Sequence, residues 1–543
     1  MPHPRPTPAI LIVGAGPTGL TLAHELLRHG IKSRLIEKTP TPSPNTKALG
    51  VMARTLELLA PSGITQEMIA QGVSVPTFSA WSAGRQLARF DFANGIESPY
   101  PYILMIPQHT TEAILTDRIV RQGGTVERGV ELVSLTQRAD GVEVVLRSTS
   151  GIEERTWTSL LIGCDGAHST VRHLLGAPFV GTTVEQSFTT GNVRMHWDLP
   201  HDQALAYLNR GRLITYFPLP DGHHRFIIAY QPGEAPQGEV TLEEIQRAID
   251  ICGPKGSRAS DPGFLARYYV HQRKVEHYVH QRVILAGDAA HIHSPLGAQG
   301  MNTGMQDAMN LALKLALVVQ GRAPARLLES YQIERAAVGT RLLQDDEQLT
   351  HQAFLHHPLA TATRDCVAPC LTQLPQMQQV ITSTAAELRI SYQHGPLVAE
   401  YRGEQVKSAP SRVKVGDRAP NGSISPGKQT APHQLYDVLT GTRHALLIFV
   451  QKLDEARSRE MQSQLSDWWD LLDVYPIRRL EQDGEDEQTL YDPDGVLAER
   501  YGIADEGMVL IRPDGYISFR SQPIAGEPLQ RYLRAHFSLQ YAS

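Results

Sequence analysis

The chain has 543 residues, of which 41% are hydrophobic and 20% charged, values that fit a globular protein of two or three domains. Its formal net charge of -6 and its lack of long Lys or Arg runs exclude an extended basic surface, so we expect no nucleic-acid partner. Residues 1–9 are Pro-rich without the apolar core of a secretory signal, and no apolar run is long enough to span a bilayer, so we expect a soluble, cytoplasmic protein with no membrane partner.

The first element in chain order is a buried strand, Ile10 to Val13, followed by a glycine-rich turn and a helix. Gly14, Gly16 and Gly19 have the GxGxxG spacing that lets a backbone approach a pyrophosphate at a helix N-terminus. Glu37 ends the next strand, where a carboxylate accepts hydrogen bonds from a ribose. This pattern predicts a dinucleotide site, but by itself it does not separate NAD from FAD.

Strands and helices continue to alternate up to about residue 187. Gln108 precedes an amphipathic helix expected at 111–120, which carries Arg118. Residues 126–147 alternate apolar and polar side chains around an Asp-Gly turn, which predicts a hairpin. A buried strand at 157–162 then leads to Asp165 in a second Asp-Gly pair.

A different pattern begins at about residue 188. Three segments alternate like antiparallel strands, at 192–197, 213–217 and 225–230. We expect this inserted sheet to cover the ring of a bound cofactor. Tyr216 and Tyr230 are candidate substrate contacts on it, although a core position is the commoner role for such side chains.

Residues 282–316 read as a strand, a tight turn at Gly287-Asp288, a loop and a helix that starts at about Asn302. A helix N-terminus preceded by glycines presents unpaired N–H groups and the positive end of a dipole. The stretch therefore predicts a site for an anion or an electron-rich ring. His291 and His293 lack a cluster of carboxylates or thiols at ligand spacing, so we expect them to pack within the loop and predict no metal site.

This stretch resembles the second flavin-binding motif of FAD-dependent aromatic hydroxylases. The resemblance is carried by Gly287-Asp288-Ala289-Ala290-His291-Ile292-His293-Ser294-Pro295, Gln299-Gly300-Met301-Asn302-Thr303-Gly304 and Gln306-Asp307-Ala308. It implies that Asp288 holds the ribityl chain of FAD and that Pro295 and Gly297 lie as catalytic residues beside the reactive edge of the flavin. The cofactor contacts implied at the helix start are Gly300, Met301 and Asn302.

Earlier segments are similar to the same family. The resemblance implies further FAD contacts, namely Thr18, Lys38, Gln108 and Asp165. Lys47 stands where the family usually has Arg, so the charge is kept while the bidentate fork is lost. Arg118 is either another FAD contact or one partner of a solvated salt bridge.

The residues from about 416 onward look like a separate unit, and a linker is marked by the segments 409–411 and 419–422. Its expected elements are a strand at 445–450, a helix at 455–472, a short strand near Val474 and a hairpin at 509–519. This order resembles the thioredoxin-like C-terminal domain of phenol and polyketide hydroxylases. No cysteine follows Cys370, so the unit cannot exchange disulfides, and we expect it to serve packing or dimerisation in a monomer or homodimer.

The predicted fold class is α/β, in part α+β. A Rossmann-like FAD-binding domain occupies 1–187 and 279–408, an antiparallel-sheet substrate domain is inserted at 188–278, and the thioredoxin-like domain spans 409–543. The resemblance implies an FAD-dependent monooxygenase that uses NAD(P)H and O2 to hydroxylate an aromatic substrate through a flavin C4a-hydroperoxide.

The substrate expected first is a bulky, mainly apolar phenol or polyketide, and the second is a small phenolic acid. The same architecture also supports epoxidation, Baeyer-Villiger-type ring opening or dehydrogenation, and a flavoprotein that binds a ligand without turnover stays open as the competing class.

Overall fold

The computed structural model describes residues 9–43, 48–209, 212–293, 299–353, 365–370, 372–403, 413–425, 433–451, 455–479 and 489–538. Helices in these ranges are α1 (Pro17–Arg28), α2 (Ala53–Leu59), α3 (Ile64–Gln71), α4 (Phe92–Gly95), α5 (Gln108–Arg121), α6 (Thr170–Leu174), α7 (Leu242–Cys252), α8 (Gly300–Val319), α9 (Glu329–Ala353), α10 (Pro375–Ala385), α11 (Leu435–Val438), α12 (Glu455–Leu465), α13 (Val496–Arg500) and α14 (Gly526–His536).

The strands in the same ranges are β1 (Ile10–Val13), β2 (Arg34–Glu37), β3 (Gly50–Val51), β4 (Val73–Val75), β5 (Thr77–Ser82), β6 (Arg85–Asp91), β7 (Ile103–Met105), β8 (Val126–Arg128), β9 (Val130–Gln137), β10 (Val142–Ser148), β11 (Glu153–Thr158), β12 (Leu160–Gly163), β13 (Val180–His196), β14 (Gln203–Asn209), β15 (Arg212–Pro218), β16 (His224–Tyr230), β17 (Arg258–Ser260), β18 (Leu265–Lys274), β19 (Val279–His280), β20 (Val283–Leu285), β21 (His291–Ile292), β22 (Ala399–Arg402), β23 (Ser423–Ile424), β24 (His433–Gln434), β25 (His444–Phe449), β26 (Leu472–Arg478), β27 (Leu490–Tyr491), β28 (Gly507–Ile511) and β29 (Ile517–Gln522).

The first sheet has the strand order β19-β20-β12-β1-β2-β8, parallel except at the β19 edge. All residues of β1, β12 and β20 are buried, as expected for parallel strands covered on both faces. Helix α1 packs against α8, which is buried continuously from Asn302 to Leu317. The predicted Asp-Gly hairpin joins β9 to β10, and β11 extends it to three antiparallel strands. The carboxyl ends of β1, β12 and β20 therefore meet at one edge, beside the starts of α1, α6 and α8.

The second sheet has nine strands, in the order β21-β18-β13-β16-β15-β14-β5-β6 with β17 beside β13. It is wider than the inserted segment predicted from sequence, because β5 and β6 come from residues 77–91 and β5 pairs in parallel with β14. Helix α7 covers one face of this sheet. The opposite face meets the first unit, where Ala204 and Leu219 share a core cluster with Leu49 and Met52.

The C-terminal sheet has the order β22-β29-β28-β25-β26-β27. The expected strand, helix, strand and hairpin correspond to β25, α12, β26 and the β28–β29 pair. The β22 strand, Ala399–Arg402, precedes the linker placed at residue 409, yet it pairs with β29 in this sheet. The sheet therefore draws on residues from both sides of that linker.

The β28–β29 turn of this unit is buried against α8 and α9 through a group of charged side chains. Arg512 donates from Nη1 to Glu334 Oε1 at 2.7 Å, and Lys314 Nζ lies 2.7 Å from Glu334 Oε2. Asn310 donates to Asp514 at 3.3 Å. Burial alone would raise the pKa of Glu334, but Arg512 and Lys314 lower this pKa to about 2. The two units are thus joined by buried ion pairs.

A second contact between the units involves α2. Arg54 donates from Nη2 to the Asp514 carbonyl oxygen at 2.6 Å, and Arg418 donates to both carboxylate oxygens of Glu57 at 2.8 and 2.6 Å. Arg54 and Glu57 are both buried.

Among the described residues, no helix combines the length and apolar character needed to cross a membrane.

Candidate active site

The first glycine turn, between β1 and α1, brings two chain segments into close backbone contact. Gly14 has a φ of +103°, and a Cβ atom there would lie 2.4 Å from the carbonyl oxygen of Cys164. A Cβ atom on Gly19 would lie 2.0 Å from the Gly14 carbonyl oxygen. At Gly16, by contrast, no described atom lies within 4 Å of that position. Glycine is thus required at Gly14 and Gly19 because a side chain would clash there. The open space at Gly16 leaves the N-terminus of α1 accessible to a phosphate.

Glu37 closes β2 beside the same turn. Its carboxylate accepts hydrogen bonds from the backbone N–H groups of Ala15 and Thr39, each at 2.9 Å. Burial by itself would raise the pKa of Glu37, but these hydrogen bonds outweigh it and lower the pKa. The side chain is therefore a fixed, charged acceptor next to the glycine turn, as a ribose contact requires. Lys38, the next residue, is exposed.

Thr18 packs between two glycines of the later motif. Its hydroxyl oxygen lies 2.5 Å from the position of a Cβ atom on Gly287 and 2.5 Å from that on Gly304. The side chain thus fills the seam between α1, the β20 turn and α8. A contact from Thr18 to a cofactor would come from its backbone.

Asp165 holds the turn between β12 and α6. Its carboxylate accepts from the Ser169 hydroxyl at 2.5 Å and from the Val171 N–H at 3.1 Å, and burial raises its pKa. Arg172 on α6 donates to the carbonyl oxygens of Ala167 at 2.7 Å and Ala289 at 3.0 Å. Arg172, which the sequence did not indicate, therefore ties the Asp165 turn to the Asp288 turn.

Asp288 differs from its neighbours in being exposed, whereas Gly287, Ala289 and Ala290 are buried. No described residue donates a hydrogen bond to its carboxylate. Gly287 has a φ of +60°, a conformation that favours glycine, and turns the chain so that the next side chain points outward. Asp288 is thus an open acceptor at the edge where β1, β12 and β20 end.

The Gly287 turn is supported from inside by Asp307 on α8. Asp307 accepts from the Gly287 N–H at 3.0 Å, from His291 Nε2 at 2.8 Å and from Arg335 Nε at 2.6 Å. Burial alone would raise the pKa of Asp307, but Arg335 and His291 lower it. His291 therefore has a structural partner, and the described residues contain no group of three potential metal ligands.

The start of α8 presents backbone groups to the same edge. Gly300 and Met301 are half-buried, and the N-terminal residue Gln299 makes no side-chain cap. Asn302 is fully buried, and its amide pairs with the backbone, accepting from the Met52 N–H and donating to the Gly50 carbonyl oxygen, each at 2.9 Å. Asn302 thus fixes α8 to β3, while the first N–H groups of the helix lack intrahelical partners.

Three predicted site residues lie outside the described residues. They are Lys47, Pro295 and Gly297.

Gln108 and Arg118 lie at opposite ends of α5. Gln108 accepts from the Ala48 N–H at 3.0 Å, which ties the end of the preceding loop to the helix start. Arg118 forms a salt bridge with Glu67 on α3. This pairing fits the salt-bridge alternative for Arg118.

Tyr216 and Tyr230 lie on the face of the second sheet that α7 covers. Tyr216 is fully buried among Trp197, Tyr207 and the helix, and Tyr230 donates from its hydroxyl to Glu244 of α7 at 2.8 Å. A substrate between this sheet and the first unit would contact the opposite face. The structure therefore does not place these two rings on the substrate side of the sheet. Alternation along a strand shows which residues share a face, but it does not show which face a helix covers.

The face toward the first unit is largely apolar. Its side chains in contact with the Leu49 and Met52 cluster are Phe78, Ala204 and Phe217. Phe78 and Phe217 are only partly buried, so their rings border open space.

Arg225 introduces a charge on this face. It is 3% exposed, donates to Asn192 Oδ1 at 2.6 Å and lies over the ring of Phe264 at 5.8 Å. Burial lowers its pKa to about 10, so the guanidinium stays charged at neutral pH. A single Arg in an alternating strand is typical of an exposed position, so this buried pair was not predictable from the sequence.

These features fit a dinucleotide that extends along the edge of the first sheet. The phosphates would meet the uncovered helix start at Gly16, and the ribose and ribityl hydroxyls would meet the acceptors Glu37 and Asp288. The ring would meet the first N–H groups of α8, at Gly300. The adjoining sheet face offers an apolar surface with one polar pair to a ring-shaped ligand.

Comparisons with known proteins agree with this arrangement. Residues 7–346 match the family model described as "FAD binding domain". The chain is 33% identical to 6-methylpretetramide 4-monooxygenase of Streptomyces rimosus, over 98% of this chain and 94% of that protein. It is 29% identical to pentachlorophenol 4-monooxygenase of Sphingobium chlorophenolicum, over 97% and 96%. The solved structure of the OxyS anhydrotetracycline hydroxylase from Streptomyces rimosus has a TM-score of 0.76 at 28% identity, covering 98% of this chain and 99% of that chain.

Proposed function

The chain belongs to the FAD-binding domain family, among its aromatic monooxygenases, and from this premise we propose that it hydroxylates a multi-ring phenol of the polyketide type with NAD(P)H and O2. The family, the mixed α/β fold, FAD as cofactor and monooxygenase activity, all predicted from the motifs, are confirmed by these matches. NAD(P)H is the co-substrate typical of the family. The alternative reactions considered from sequence are not favoured.

The sheet face opposite α7 carries the substrate proposal. Phe78, Ala204 and Phe217 form an apolar surface against which a flat ring system packs. The buried Arg225 and Asn192 pair supplies one polar contact for a phenolic or carbonyl oxygen. Two of the relatives are named for tetracycline-type polyketides and one for a single-ring phenol.

The positions of the residues support the roles proposed for them. When bound, FAD accepts a hydride from NAD(P)H and activates O2. Gly14, Gly16 and Glu37 bind its adenosine diphosphate half, and Asp288 holds the ribityl chain. The first N–H groups of α8 face the pyrimidine end of the ring, as the resemblance implies. Pro295 and Gly297 stay predicted catalytic residues.

The test of the substrate class is a panel of multi-ring and single-ring phenols. Purified protein loaded with FAD should consume NAD(P)H faster with multi-ring phenols and should yield products heavier by one oxygen atom, measured by absorbance and mass spectrometry. Preference for single-ring phenolic acids would contradict the proposed class.

Arg225→Met tests the polar contact on the sheet face. Loss of one hydrogen bond from a buried charged donor costs about 1–3 kcal/mol, so KM for the preferred phenol should rise roughly tenfold or more while bound FAD is unchanged. Arg194→Met is the matched control, because Arg194 lies on β13 of the same sheet with an exposed side chain. An unchanged KM for Arg225→Met would remove Arg225 from the substrate site.

A further inference from the structure

Glu387 is a buried carboxyl group in an unusual backbone conformation. It follows α10, is 4% exposed and has a φ of +60°, in the left-handed region that side chains other than glycine rarely adopt. This conformation closes α10 as a Schellman motif, in which the Glu387 N–H donates to the Thr384 carbonyl oxygen at 3.0 Å and the Leu388 N–H donates to the Ser383 carbonyl oxygen at 2.9 Å. Glycine is the usual residue at this position, so the turn itself does not account for the buried carboxyl group.

The carboxyl group contacts the first turns of α8. Gln306 donates from Nε2 to Glu387 Oε2 at 2.5 Å, and the Thr303 hydroxyl donates to Oε1 at 3.4 Å. Thr303 and Gln306 lie on one face of α8, immediately after Gly300 to Asn302, the residues proposed to face the flavin. Glu387 thus lies behind the helix start that meets the ring.

The charged groups around Glu387 are committed to other partners. Arg335 on α9 donates to Asp307 at 2.6 Å, to the Tyr392 hydroxyl at 3.0 Å and to the Thr303 carbonyl oxygen at 3.1 Å. His293, before the loop, lies 3.3 Å from Asp346 of α9. Within the described part of the chain, Glu387 itself has no ion-pair partner within 4.0 Å. Its known donors are therefore the neutral side chains of Gln306 and Thr303.

This environment favours the protonated form of the carboxyl group. Burial raises the pKa of Glu387 to about 7, although Arg335, Gln306, His293 and Thr303 each act to lower it. The amide oxygen of Gln306 has no donor among the described residues, so a turned amide can accept the proton of Glu387. The group is thus poised to change its charge near neutral pH.

We propose that Glu387 is a positioning residue that takes up a proton from solvent when the flavin is reduced and releases it when the flavin is reoxidised. Reduction would place a negative charge on the ring near the start of α8, and a like charge nearby favours the neutral acid. In the balanced step, NAD(P)H, FAD, the Glu387 carboxylate and one solvent proton give NAD(P)+, the anionic reduced flavin and the Glu387 carboxylic acid. The hydride carries both electrons. The proposal rests on the proposed placement of the flavin at α8.

The test is the number of protons taken up when the flavin of the full-length, FAD-loaded protein is reduced. It is obtained from the pH dependence of the flavin midpoint potential below, at and above neutral pH. Above neutral pH, where the carboxylate is charged before reduction, we expect the wild-type count to exceed that of Glu387→Gln by up to one proton per two electrons. At acid pH Glu387 is already neutral, so the two counts should be equal. An identical profile in wild type and Glu387→Gln would overturn the proposal.

Two further variants separate this role from a structural one. Glu387→Gly removes the carboxyl group and suits the left-handed backbone, so it should show the same proton uptake as Glu387→Gln. It therefore provides the test if the Gln variant folds poorly. Glu347→Gln, which alters an exposed carboxylate on α9, should keep the wild-type profile. A wild-type profile in Glu387→Gly would also overturn the proposal.

Failure of the underlying placement has its own signature. If Asp288→Ala weakens FAD binding while the proton count in the Glu387 variants equals wild type, the proton role alone is wrong. If Asp288→Ala binds FAD as tightly as wild type, the placement of FAD is wrong, and the role assigned to Glu387 is withdrawn with it.

Discussion

Asp288 is exposed within a run of buried residues, and this contrast makes it the sharpest single-residue test of the site. If its carboxylate accepts a ribityl hydroxyl, Asp288→Ala leaves a polar group without its partner at a cost of about 1–3 kcal/mol. We expect FAD affinity to fall roughly ten- to a hundredfold, measured by fluorescence titration. Glu276→Ala, at an exposed carboxylate on the segment before β19, should have no effect. Equal affinity in Asp288→Ala and wild type would place the ribityl chain elsewhere.

Glu387 should also make stability depend on pH. Its pKa of about 7 in the folded chain is raised above the usual 4.5, so its contribution is complete below pH 4.5 and is lost as pH rises through 7. The difference corresponds to about 3 kcal/mol. Glu387→Gln should therefore gain stability relative to wild type above neutral pH, measured by urea unfolding on both sides of pH 7. Parallel pH profiles would show that the folded-state carboxyl group titrates normally.

Individual residues also show where sequence reasoning succeeds and where it stops. Gly14, Gly19 and Glu37 were predictable because their roles depend on the backbone and on local spacing. Arg225 and Glu387 were not, because each acquires its environment from strands or helices far away in the chain. Tyr216 is an aromatic residue of the inserted sheet, and the sequence does not show that α7 covers the face on which it lies.

Helix α8 is the element that connects the proposed flavin site to the rest of the molecule. The sequence predicted its start at about Asn302, and the structure begins it at Gly300. Its buried polar side chains at 303, 306, 307, 310 and 314 point to different partners, which a simple apolar pattern does not reveal. Asp307 accepts a hydrogen bond from the Gly287 turn, whereas Asn310 donates to Asp514 of the C-terminal unit.

Gly304→Ala tests the packing of α8 on α1. The added Cβ atom would lie 2.5 Å from the Thr18 hydroxyl, a clash that should outweigh the better helix propensity of Ala and cost about 1–3 kcal/mol. Thr18→Ala removes that oxygen, so the double variant should regain most of the loss. Urea unfolding and retained FAD measure both effects. If Thr18→Ala does not restore the stability of Gly304→Ala, a contact other than the Thr18 hydroxyl limits the packing of α8 on α1.

At the scale of the whole molecule, the C-terminal unit does more than cover an outer surface. Sequence reasoning expected packing or dimerisation, and its predicted strands and helix are present. It could not show that the turn holding Arg512 and Asp514 enters a buried group with Asn310, Lys314 and Glu334, because these partners lie about two hundred residues apart. We therefore expect the FAD-binding unit to depend on this contact for stability.

Arg512→Met tests that dependence. Removing one partner of a buried ion pair costs about 3–5 kcal/mol, since Glu334 then keeps Lys314 as a charged partner and Asn310 as a neutral donor. We expect lower stability in urea and release of FAD at lower urea concentration. Arg531→Met is the control, because the salt bridge of Arg531 with Glu527 is exposed and should contribute at most about 1 kcal/mol. Equal losses in the two variants would mean that the buried pair does not join the units.

The β22 strand has a consequence for how such proteins exchange parts during evolution. Ala399–Arg402 pairs in parallel with Ile517–Gln522, although the Pro-rich linker follows it in the chain. A gene fusion that transferred only the segment after the linker would leave this strand behind and expose the hydrogen-bonding edge of β29, which favours aggregation. We therefore expect that a gene segment transferred successfully between proteins begins before the codon for Ala399. Such a segment carries the β22 strand together with the sheet that it completes.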